Sequence, residues 1–247
     1  MTRTAITLTI LVSCAALMLP QAAMAQDLSL SLGDGQSISA RSIQLILLLT
    51  VLSLAPGLLI MITCFPFLVT VLSILRQGLG LQQAPPNMMM ISLALFLTYF
   101  VMEPVFTEAW QTGISPLIEE QVDIETGIMR SLEPFRGFMA NRLDPDTFYA
   151  IAHLRPELEA IDPTPEAPLS VLVPSFLLSE ISRAFQIGFL VFLPFLVIDL
   201  VVAAVLMSMG MMMVPPAVVA LPFKLAFFVV ADGWSLIATA LVRSYYP

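Results

Sequence analysis

Apolar positions along this chain come in runs of about twenty residues or more, with none of the short alternations of a soluble sheet. After a polar segment from Gln26 to Arg41, the first run extends from Ile43 to Leu75. As one straight helix it would reach ~50 Å, well beyond a ~30 Å hydrocarbon core. Pro56 and Pro66 fall inside it, so the pattern predicts a kinked or broken helix. A connection over residues 76–87 leads into a second run, Met88 to Phe106. A polar stretch of helix-compatible segments continues to Pro168. The third run, Val171 to Met213, is interrupted by Glu180, Arg183 and Asp199, and the fourth, Ala217 to Val242, holds Pro222, Lys224 and Asp232. The expected fold is an all-α membrane protein: two long kinked helical hairpins, at 43–106 and 169–247, flanking a mostly helical subdomain at 107–168. The hairpins echo each other in their proline pairs, Pro85-Pro86 and Pro215-Pro216, each placed where a returning helix can begin without losing a needed donor. The echo is too weak to establish a duplication.

The first 25 residues differ from these runs. Arg3, a short apolar core from Ala5 to Leu19, and Ala23-Met24-Ala25 read as a cleavable secretory signal with cleavage between Ala25 and Gln26. Leu11-Val12-Ser13-Cys14 also has a lipobox pattern, though the apolar core continues past Cys14. Cleavage after Ala25 leaves Cys64 as the sole cysteine of the mature chain, expected to be a small buried hydrophobe. A signal places the mature amino terminus outside. Each hairpin turn then faces the cytoplasm and the subdomain lies on the outer side.

Composition agrees with membrane residence: 58% of residues are apolar and 11% charged, with a mean hydropathy of +0.93. The formal charge of −8 belongs to one place, since thirteen acidic residues against four arginines lie between Glu103 and Glu166. That is no nucleic-acid footprint. There is no phosphate-binding glycine loop, no His-Glu-x-x-His and no paired cysteines for a metal. With a single histidine, His153, nucleophile and base arrangements have little to be built from. Neither an enzyme nor a cofactor or metal site is expected, and His153 reads as a solvated surface residue.

Two features carry candidate chemistry. Residues 207–213 contain five methionines, Met207, Met209, Met211, Met212 and Met213, in what should be a polar turn. Asp199 and Lys224 are costly in lipid, and their midpoint is that same turn. In a symmetric hairpin both stand about 12 residues, ~18 Å, from the bend. An ion pair across the hairpin or between neighbouring subunits is expected, and the rival is an ion relay through Asp199 in a small-solute transporter. Glu180 and Arg183, spaced for local pairing on one helix face, are candidate interface residues together with Phe138. Asp232, Gly233 and Trp234 suit a membrane interface.

The stretches Leu193-Pro194-Phe195 to Ala203, Met207 to Pro216, Leu221-Pro222-Phe223-Lys224-Leu225 and Asp232-Gly233-Trp234 closely resemble the FliP family of flagellar biosynthesis proteins. Val71 to Gln77, Gln82 to Asn87, and Ser179-Glu180 followed by Ala184 to Phe189 extend the likeness to most of residues 43–242. The acidic segment matches little beyond Glu133-Pro134 and Phe138-Met139, and Phe67 stands where the family often has Arg. The resemblance implies a core, channel-forming subunit of the type III protein export gate in the bacterial inner membrane at the flagellar basal body. It implies a ring of copies, pentameric in the family, joined by FliQ and FliR and adjoining FlhA and FlhB. Unfolded flagellar proteins would be the cargo, and much of the conical assembly would stand above the bilayer plane. It further implies that Met211, Met212 and Met213, with Met209 beside them, form a gasket closing the pore.

Overall fold

The computed structural model of the protein describes residues 38–81, 84–158, 160–211 and 213–246. The expected signal cleavage at Ala25 and Gln26, Cys14 and Met212 lie outside the described residues. The chain divides into two units at Leu49 and Thr50. Of the first unit, residues 38–49 are described, and they are helical. All the described regular structure is helical: α1 (Ile38–Met61), α2 (Phe65–Gly78), α3 (Asn87–Ala109), a π-turn (Trp110–Ile114), α4 (Ser115–Ile118), α5 (Ile124–Arg142), α6 (Pro145–Ala152), a 3-10 turn (Pro156–Leu158), α7 (Leu169–Ser208), α8 (Pro216–Val230) and α9 (Gly233–Arg243).

Among the described residues, three segments can cross a membrane by length and composition: Ser42–Met61, Asn87–Ile118 and Leu169–Ser208. A fourth is available if α8 and α9, bent by 62°, form one broken span. The bend follows from Asp232, which takes a left-handed φ of 47° at the junction.

The break expected in the first apolar run falls at residues 62–64. Pro66 sits in the first turn of α2, where its missing N–H is no loss, whereas Pro56 is carried inside α1. This break changes the packing of the first hairpin. The buried stripe of α2, Phe67, Leu68, Val71, Leu72 and Leu75, packs most extensively against α7 and next against α3. The facing stripe on α7 runs through Leu172, Ser175, Phe176, Ser179, Glu180, Ala184 and Gly188. Gly188 permits the close approach: a Cβ there would come within 2.4 Å of Ile74 Cδ1. The two apolar stretches therefore interlock through α2 and α7.

The acidic segment is helical, as expected, and sequence-local chemistry explains its boundaries. Asp123 caps α5 by accepting from the Thr126 amide at 3.2 Å, and Asp144 caps α6 by accepting from the Thr147 amide at 3.0 Å, with Pro145 opening that helix. In both caps the threonine hydroxyl also donates to the carboxylate, at 2.6 Å in the first and 2.7 Å in the second. A second cluster of buried side chains, Met139, Leu143, Phe148, Ala152, Leu172 and Phe176, fixes α6 and the end of α5 onto the start of α7.

Candidate functional site

The methionine-rich bend is built from backbone outward. α7 ends at Ser208, Met209 caps it, and Gly210 follows with φ of 75°. The Gly210 amide reaches the Met207 carbonyl at 3.0 Å and the Met211 amide reaches Leu206 at 2.9 Å. These two bonds make a Schellman motif, which needs a residue at ease in the left-handed region and satisfies two orphan carbonyls. Pro215 and Pro216 then start α8. Met207, Met209, Met211 and Met213 are all exposed, Met213 at 97%. Beside the bend, Val201, Val205, Leu206, Met209, Met211 and Phe223 line a wholly apolar cavity of about 570 Å³ between α7 and α8.

Asp199 and Lys224 meet as the hairpin spacing requires, with Lys224 Nζ 2.7 Å from Asp199 Oδ2 inside one chain. Lys224 is buried and also donates to the Gly78 carbonyl at 3.0 Å. That carbonyl belongs to the last residue of α2, where a cation both fills an orphan acceptor and opposes the helix dipole. One lysine thus joins α2, α7 and α8. Asp199 Oδ1 is buried with no hydrogen-bond partner among the described residues.

Glu180 corrects the expected local pair with Arg183. It is fully buried and bonds Arg142 at the end of α5, Nε to Oε1 at 2.9 Å, while the Tyr245 hydroxyl donates to its other oxygen. A helix-surface pair with Arg183 would leave the carboxylate half solvated. Turned inward, it gains a guanidinium and a phenol and is fully satisfied. Arg183 lies close enough to Asp144 for its charge to help lower that carboxyl, after the larger effect of the Thr147 hydrogen bonds. Phe138 lies half-buried, stacked 6.0 Å from Tyr245 and edge-on to Phe176 at 5.7 Å. Arg142, Ser244 and Tyr245 escaped sequence reading because their partners are distant. A guanidinium at the end of an acidic helix was the available signal.

Other residues take quieter places. Cys64 is buried, and burial pushes its thiol up to about 12. His153 is exposed at the end of α6. Arg76 reaches the Asn87 side chain across the connection that follows α2, tying together two stretches of the motif. Phe67 is wholly buried, with the Arg142 guanidinium 5.7 Å from its ring centre.

The model of the FliP family matches residues 48–241, most of the chain. The chain belongs to the FliP family. Relatives of that family name the same kind of protein in distant bacteria. The chain is 48% identical over 244 residues to the flagellar biosynthetic protein FliP of Caulobacter vibrioides, covering 98% of this chain and 91% of that one. It is 49% identical over 235 residues to the FliP of Agrobacterium fabrum, with 93% and 95% covered. To the FliP of Bacillus subtilis it is 43% identical over 215 residues, with 87% and 96% covered. The FliP match takes in the methionine bend and both ion pairs, and it ends before Ser244.

Proposed function

We propose that this chain is a core, channel-forming subunit of the flagellar type III export gate, and that its methionine bend seals the closed pore. Several copies, five by the family resemblance, assemble as a ring with FliQ and FliR beside FlhA and FlhB. They sit in the inner membrane at the basal body with the acidic subdomain on the periplasmic side, and they pass unfolded flagellar proteins. The observation that carries the reading is the exposed group Met207, Met209, Met211 and Met213 on a bend closed by the Gly210 turn. Apolar side chains brought together around an axis exclude water and ions by dewetting. Methionine's flexible thioether lets such a ring mould around a passing chain and close again. Transport of a small solute coupled to ions has less support, because Asp199 is already held by Lys224.

The test is ion leakage. With Met211, Met212 and Met213 changed together to Ala, assembled gates in cell membranes are expected to conduct small ions at rest. Conductance at the level of the unchanged protein, in gates that assemble normally, contradicts the seal.

A further inference from the structure

Three parts of the chain far apart in sequence converge on the residues that follow α9. The Ser244 carbonyl accepts from Arg142 Nη1 at 2.7 Å, and the Ser244 hydroxyl stands 3.4 Å from Nη2. The Tyr245 ring is wedged between Phe67 of α2, edge-on at 5.6 Å, and Phe138 of α5, stacked at 6.0 Å. The Arg142 guanidinium lies 4.0 Å above the same ring, a favourable cation–π geometry. The Tyr245 hydroxyl donates to Glu180 Oε2 on α7, while Arg142 Nε holds Oε1. These contacts close a ring of hydrogen bonds from Arg142 to Glu180, to Tyr245, and back through Ser244.

Tyr246 completes the picture on the opposite side. Its hydroxyl lies 3.0 Å from the Val101 carbonyl and 3.4 Å from that of Phe100, both in α3. Of the two, the Phe100 carbonyl is the one whose ordinary donor Pro104 removes, whereas the nearer Val101 carbonyl stands opposite the Val105 amide. Proline has no N–H, so the Phe100 carbonyl loses the donor that residue 104 would ordinarily supply, and the ring pushes that turn open. Phe100 is exposed on α3, and in lipid a carbonyl left unbonded there is costly. The phenol of Tyr246 sits closer to Val101 and shares its proton with the donor-less Phe100 carbonyl at the longer distance.

We propose that Ser244–Tyr246 is a clasp that locks α3, α5 and α7 together, Arg142 gripping it from the subdomain and Tyr246 standing in for the backbone donor that Pro104 removes. The clasp fixes the acidic subdomain in one orientation over the apolar helices. Burial and the Glu180 charge push the Tyr245 phenol well above its ordinary value, which keeps it protonated as a donor. The clasp is independent of what the methionine bend does, because the two sets share no residue.

A four-way comparison of the full chain in lipid nanodiscs tests it: unchanged protein, Tyr246→Phe, Pro104→Ala, and both together. Tyr246→Phe alone is expected to lower the thermal midpoint by about 2–4 °C. It should also speed amide exchange severalfold around residues 98–103 and in the last turn of α5, leaving α8 near Lys224 as before. With Pro104→Ala present, the alanine amide serves Phe100, and the same tyrosine change should cost less than half as much. Equal losses in both backgrounds, or no loss in either, overturn the clasp. Arg142→Lys, which keeps the charge but cannot span Glu180 and Ser244 together, should raise exchange in the same segments. Exchange unchanged there also counts against it.

Discussion

The two halves of α7 are made of similar apolar stuff and meet opposite fates. Its first half buries Val171, Leu172, Ser175, Phe176, Ser179, Glu180, Ala184 and Gly188 against α2, α5 and α6. Its second half buries only Phe195 and Leu206, and leaves Leu196, Val197, Leu200, Val201, Val205 and Met207 exposed. The buried half is the one with small and polar positions. Serine, alanine and glycine let neighbouring backbones approach, and Glu180 can be there because Arg142 and Tyr245 satisfy it. The bare half carries mostly aliphatic and aromatic side chains and one carboxylate, Asp199, held by Lys224. One half is finished by its own chain, while the other leaves its apolar face uncovered.

The sharpest way to break this contrast is to remove one charge from each half. Glu180→Ala strands Arg142 in a buried site, and a loss of roughly 3–5 kcal/mol in unfolding free energy is expected. Asp199→Ala is expected to cost less, because the Asp199 side chain is about one-third exposed and serves Lys224 alone, whereas the fully buried Glu180 serves both Arg142 and Tyr245. About 1–3 kcal/mol is expected there. Reversible unfolding of the solubilised chain measures both, and a larger loss at Asp199 would reverse the account of which half is self-sufficient.

The smallest effect concerns the subdomain that the buried half holds. Hydrogen bonds from Thr126 and Thr147, hydroxyl first and amide second, hold the carboxyls of Asp123 and Asp144 below their ordinary value of 3.8. A depressed folded value means that each cap contributes in full above the unfolded value and is lost as the pH falls through the folded one. Asp123→Asn should therefore lower the thermal midpoint slightly at pH 6, and the gap to the unchanged protein should close as the pH falls below the ordinary carboxyl value of 3.8. A gap that widens with acid would show that the carboxylate is not what caps α5.

How far the sequence reveals this arrangement depends on the range of each interaction. Apolar runs, the Pro66 break and the caps at Asp123 and Asp144 are local, and their signals lie within a few residues. Asp199 and Lys224 are legible because a hairpin converts sequence symmetry into spatial depth. Glu180 misleads for the same reason: Arg183 is a suitable neighbour on one turn, yet the true partner is 38 residues away on another helix. Nothing near Lys224 points to Gly78, nor near Pro104 to Tyr246, since each pairing is set by how α2 and α9 pack. The exposed methionines are legible as a composition anomaly, and their backbone reason, the turn at Gly210, is visible once the helix ends are known.

The most direct test of the central claim is the chemical accessibility of the bend in the closed gate. With Met213→Cys in assembled complexes, the account predicts slow reaction with a membrane-impermeant thiol reagent and disulfide-linked pairs of neighbouring copies after mild oxidation. Rapid labelling with no linked pairs, in complexes that assemble as before, would place Met213 away from the shared axis and contradict the seal.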